Sequence, residues 1–101
     1  MLNSKQRARL RALANGIQPI SQIGKGGISD AQIKMIDDAL DAHELIKMTT
    51  LESAGMTSRE GADTIAQRVG ADVVSVVGRK FVLFRESRNE ERRIISKDIL
   101  A

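Results

Sequence analysis

A chain of 101 residues has room for one compact domain, and 42% hydrophobic with 29% charged residues is enough apolar material for a core. The lack of cysteine excludes a disulfide framework, a thiolate metal site and a thiol nucleophile. Net charge is a modest +3, and no apolar run approaches the roughly 20 residues that cross a bilayer, so a cytosolic protein without a membrane segment is expected.

Asn3 to Ala14 reads as a helix with Leu10, Leu13 and Ala14 as its apolar stripe, and Asn15-Gly16 followed by Pro19 supply its stop. Ile17 to Ile23 is a short strand, irregular or at an edge near Pro19. The loop Gly24-Lys25-Gly26-Gly27 follows. Ser29 and Gln32 have capping-box spacing ahead of a helix from about Asp30 to His43, with Ile33, Ile36 and Leu40 on one face and aspartates on the other. Leu45 to Thr49 alternates as a second strand, and Leu51 to Met56 is a connector. Thr57 and Glu60 repeat the capping-box spacing, and Ala62, Ile65, Ala66 and Val69 line a third helix that stops at Gly70. Val73 to Val77 and Phe81 to Arg85 form a hairpin across Gly78-Arg79-Lys80. The odd spacing of Phe81 and Phe84 sends them to opposite faces of their strand.

The order α-β-α-β-α-β-β predicts an α/β domain over residues 1–86, an open mixed four-stranded sheet covered by helices. Residues 87–101 are expected to form a charged, mobile C-terminal tail or a marginal helix, with Ile94, Ile95, Ile99 and Leu100 able to dock on the domain or on a partner. If the first and third strands are parallel, Gly24 to Gly27 and Gly78 to Lys80 lie at one end of the sheet.

Charge is unevenly laid out. Lys5, Arg7, Arg9 and Arg11 form an acid-free run, whereas Asp30, Asp37, Asp38, Asp41 and Glu44 gather in a segment whose sole base is Lys34. One positive and one negative surface suit a protein that meets a polyanion with one side. A glycine-rich turn between strand and helix leaves backbone N–H groups open to phosphate oxygens, and the helix start adds partial positive charge. Lys25 adds a point charge at the tip, Arg79 and Lys80 reach neighbouring phosphates, and Arg7 with Arg11, or Lys5 with Arg9, extend the track. The spacing is too short for a nucleotide-hydrolase loop, and no Lys-Ser or Lys-Thr pair follows the glycines. His43 is a lone histidine near a helix end, and Asp37, Asp38 and Asp41 point different ways as a solvated face. Neither a metal set nor a nucleophile–base pair can be assembled. The residues therefore predict a non-enzymatic, monomeric RNA-binding protein that needs no cofactor or small-molecule substrate. A basic DNA-binding or nucleoid-type protein and a protein-interaction module are the rivals.

Several separated motifs carry a family resemblance. Leu2-Asn3-Ser4-Lys5-Gln6-Arg7, Leu10-Arg11-Ala12-Leu13-Ala14, Ile23-Gly24-Lys25-Gly26-Gly27, His43-Glu44-Leu45-Ile46-Lys47 and Val77-Gly78-Arg79-Lys80-Phe81-Val82-Leu83-Phe84-Arg85 resemble the CRM domain, the chloroplast RNA splicing and ribosome maturation module. The stand-alone bacterial YhbY-type members are the nearest in kind. The resemblance implies a fold similar to the C-terminal domain of translation initiation factor three and association with ribosomal RNA in precursors of the large subunit. It also implies RNA contact by the GxxG loop, Gly24 to Gly27, with Arg79, Lys80 and Arg85 in the final-hairpin motif. Phe84 replaces a tyrosine, and Asn15 a histidine, common in that family.

Overall fold

The computed structural model describes residues 2–101. Helix α1 (Ser4–Ala14), strand β1 (Pro19–Ile23), helix α2 (Asp30–His43), strand β2 (Leu45–Thr50), helix α3 (Ser58–Val69), strands β3 (Asp72–Val77) and β4 (Lys80–Phe84) and a short helix α4 (Ile95–Ile99) follow in order. Turns of 3-10 helix occupy Glu52–Ala54 and Glu90–Arg92. The strands form one sheet in the order β1-β2-β4-β3. β1 pairs parallel with β2, and β4 runs antiparallel to both β2 and β3. The expected open mixed four-stranded sheet is thus the one observed, and β1, β2 and β3 all point the same way.

Both faces of the sheet carry helices. On one, α2 and α3 enclose Ile23, Ile36, Leu40, Met48, Ile65, Phe81 and Leu83. On the other, Leu10 and Ala14 of α1 and Ile99 of α4 pack on Leu45, Val74, Val82 and Phe84. Central strand β4 therefore buries four consecutive residues, Phe81 to Phe84, as a strand covered on both sides should. The two phenylalanines go to opposite layers, and each contributes roughly 1.5–3 kcal/mol by burial.

The helix ends show which local signals acted. Thr57 and Glu60 close a complete capping box at α3, and Gly70 ends it at φ 69°. Asn3 and Gln6 close a second box at α1, which the sequence reading did not identify. Ser29 accepts from the Gln32 N–H, but the Gln32 side chain does not return to the cap. It donates instead to Ser21 Oγ (3.3 Å) and to the carbonyl of Gln22 (2.8 Å), covering part of the exposed edge of β1. Helix α1 stops without a left-handed residue: Asn15 is right-handed, and the N–H groups of Asn15, Gly16 and Ile17 donate three residues back as the helix tightens. Leu13, assigned to the apolar stripe, is 47% exposed, because only Leu10 and Ala14 reach the sheet.

Residues 87–101, expected as a mobile tail or a marginal helix whose apolar residues could dock, include the short helix α4 and lie against the domain. Ile99 is buried and Ile95 packs beside it, whereas Ile94 and Leu100 face outward. The anchor is Glu44, fully buried and left-handed (φ 64°) at the end of α2. Its carboxylate accepts from the N–H groups of Ser87 (2.8 Å) and Ser96 (3.0 Å). Burial would raise its pKa, but hydrogen bonds from Ser96 and Ser87 outweigh that and hold it below the usual range. Gln6 donates to the Ile99 carbonyl (3.2 Å), and Arg9 meets Asp98 at 2.6 Å.

Candidate nucleic-acid interface

Parallel β1, β2 and β3 place the loop after β1 and the turn after β3 at the same end of the sheet. Hydrogen bonds fasten that end. The Leu51 N–H donates to the Ile23 carbonyl (2.9 Å), and the Thr50 N–H donates to the Arg79 carbonyl (2.7 Å).

The glycine loop is a tight turn closed by the Gly27 N–H donating to the Gly24 carbonyl at 2.9 Å. Gly27, at φ 72°, is required by its backbone conformation. Gly26 is different: it lies outside the left-handed region, and an added Cβ would meet nothing within 4 Å. The fold does not need glycine there, whereas close approach of another backbone would. Lys25 is exposed beside it and makes no salt bridge among the described residues. The start of α2 offers less positive potential than expected, since Ser29 occupies its cap and Asp30 stands in its first turn.

A second basic feature lies where α1 leaves part of the sheet uncovered. Arg11, Ala14 and Asn15 at the end of α1 face Lys47 of β2, Ser75 and Val77 of β3, and Lys80 and Val82 of β4 across a cleft of about 280 Å³. Among the described residues, three cations and no carboxylate line it. Lys47 was missed in the sequence because it alternates within an ordinary strand pattern. The antiparallel register, which sets Lys47 opposite Val82 and Thr49 opposite Lys80, brings the two lysines to one face.

Other residues expected at a site have different places. Arg79 is half exposed and paired with the exposed Glu52 at 3.0 Å. Arg7 donates to the carbonyls of Val73 and Val74, where β3 is bulged, so it fastens α1 to the sheet edge. Lys5 is exposed in the first turn of α1, beside the end of α4 and away from the cleft. Arg85 is turned inward at 11% side-chain exposure. It meets Asp37 (2.6 Å) and Asp41 (3.0 Å) and donates to the carbonyls of Val69 and Asp37. The structure thus brings Arg11, Lys47 and Lys80 together, places Lys25 and Arg79 at the adjoining end, and leaves Arg7 and Arg85 with structural tasks.

Asp37 and Asp41, expected on a solvated face, complete that cluster with Arg88, which meets each at 2.6 Å. Hydrogen bonds from Arg85, and then from Arg88, hold Asp37 below the usual carboxylate range against the opposing effect of burial. Asp41 is lowered too, first by Arg88.

The chain is similar throughout to known proteins. It is 36% identical over 92 residues to the probable RNA-binding protein YqeI of Bacillus subtilis, covering 91% of this chain and 96% of that one. An RNA-binding protein of Haemophilus influenzae is 31% identical over 93 residues, 92% of each chain. The solution structure of SAV1595 from Staphylococcus aureus superposes with a TM-score of 0.71 at 40% identity, covering 89% of this chain and 94% of that one. The family model of the CRS1/YhbY (CRM) domain matches residues 2–85, and the chain belongs to that family.

Proposed function

We propose that this protein binds RNA without catalysing a reaction, and that it holds ribosomal RNA in precursors of the large ribosomal subunit during assembly. The observation that carries the reading is a set of cations with no salt-bridge partner among the described residues: Lys25 in the glycine turn and Arg11, Lys47 and Lys80 around the cleft. The half-buried Asp37 and Asp41 are meanwhile paired with Arg85 and Arg88. An RNA backbone then meets positive charge and an open backbone turn on one side. The names of the YqeI and Haemophilus relatives agree with an RNA ligand. The ribosomal target follows from the family resemblance of the GxxG and final-hairpin motifs.

Lys25→Glu is expected to weaken binding to structured RNA by roughly tenfold at moderate salt, with the thermal midpoint unchanged, because an exposed lysine contributes little to folding. Titration of labelled RNA beside a melting curve checks this. Unchanged affinity removes the loop from the interface. Co-migration of the protein with large-subunit precursors in a sucrose gradient, abolished by RNase, tests the ribosomal target.

A further inference from the structure

We infer that the cleft between the end of α1 and the sheet receives one unpaired nucleotide, so that the protein prefers RNA with a bulged or unstacked residue to a continuous duplex. The inference rests on the RNA-binding reading above and adds a site to it. Two properties of the cleft point this way. Its floor is apolar, made by the buried Ala14 and Val82 with the exposed Val77 at its rim, while Arg11, Lys47 and Lys80 stand around it and Asn15 and Ser75 supply neutral hydrogen-bonding groups. A phosphate alone would gain nothing from that floor, and an acidic side chain has no flat apolar face to lay on it. A nucleotide has both parts: a base whose face seeks an apolar surface and flanking phosphates that seek cations. Asn15 carries both a donor and an acceptor, as the edge of a base requires.

Size and accessibility agree. About 280 Å³ lies at the small end of ligand cavities and has room for a base. Within an A-form duplex the face of a base is covered by its neighbours, and the groove that shows most of its edge is deep and narrow. Only a residue turned out of the helix reaches the floor. Among the described residues no aromatic ring lines the cleft, so the base rests on aliphatic carbon rather than in a stack.

The test compares two hairpin RNAs that differ by a single bulged nucleotide, titrated at the same moderate salt against the wild-type chain and two cleft-filling variants, Ser75→Leu and Asn15→Leu. Asn15 is exposed and right-handed, so it accepts leucine even if a larger residue on β3 disturbs the strand; melting curves verify both folds. The wild type should favour the bulged hairpin by roughly tenfold, the scale of one sheltered base, and each variant should bring the ratio to about one. Equal binding of the two hairpins by the wild type overturns the inference, as does a preference that survives both substitutions. In either case Lys25→Glu still weakens both RNAs if the broader reading holds. Salt-insensitive or absent binding of both hairpins fails that reading as well.

Discussion

Gly26 and Gly27 sit side by side for different reasons, and substitution separates them. At Gly27 the positive φ opposes any side chain, so Gly27→Ala should cost about 1–2 kcal/mol in urea unfolding. At Gly26 there is room and no such strain, so Gly26→Ala should leave stability within about 0.5 kcal/mol while weakening RNA binding through lost close approach. Arg85 shows the reverse division. Read from the sequence as an RNA contact, it is a buried tie between β4, α2 and the last carbonyl of α3. Arg85→Ala leaves Asp37 and Asp41 without their inner partner and should destabilise the fold by roughly 3 kcal/mol. A basic residue in a motif does not reveal whether its partner is a phosphate or an aspartate 48 positions away. That distinction depends on packing, which local pattern does not encode.

Among the elements, the docked C-terminal segment was least legible. The i, i+4 pair Ile95 and Ile99 is a weak helical signal, and a five-residue helix cannot stand alone. What holds the segment is the buried carboxylate of Glu44, hidden in a sequence position that resembles an ordinary helix end. By contrast, α3 was readable throughout, because its capping box, apolar stripe and terminal glycine are all local features. The acid groups give the segment a pH signature. Asp37, Asp41 and Glu44 all have folded pKa values below their unfolded ones. Their contribution is therefore complete above about pH 5 and is lost as pH falls below about 4. Amide exchange, corrected for its intrinsic pH dependence, should show protection of Ser87 and Ser96 declining in that range. Glu44→Gln should reduce the same protection at neutral pH, since one oxygen that accepts an N–H becomes a donor.

At the scale of the whole molecule, the sheet order decides which charges meet. The sequence-based order of elements correctly predicts an open mixed sheet with the Gly24 and Gly78 loops at one end, because helical crossovers make β1, β2 and β3 parallel. It could not supply the position of β4 between β2 and β3, and that placement sets Lys80 beside Thr49 and completes the cleft with Lys47. The most direct test of the basic surface is RNA affinity as a function of salt for the wild type and the triple variant Lys25→Gln, Lys47→Gln, Lys80→Gln. If each lysine neutralises one phosphate, the slope of log K against log salt should become shallower by roughly 2–3, with the fold intact by circular dichroism. An unchanged slope and affinity would contradict the account and place the RNA on another face.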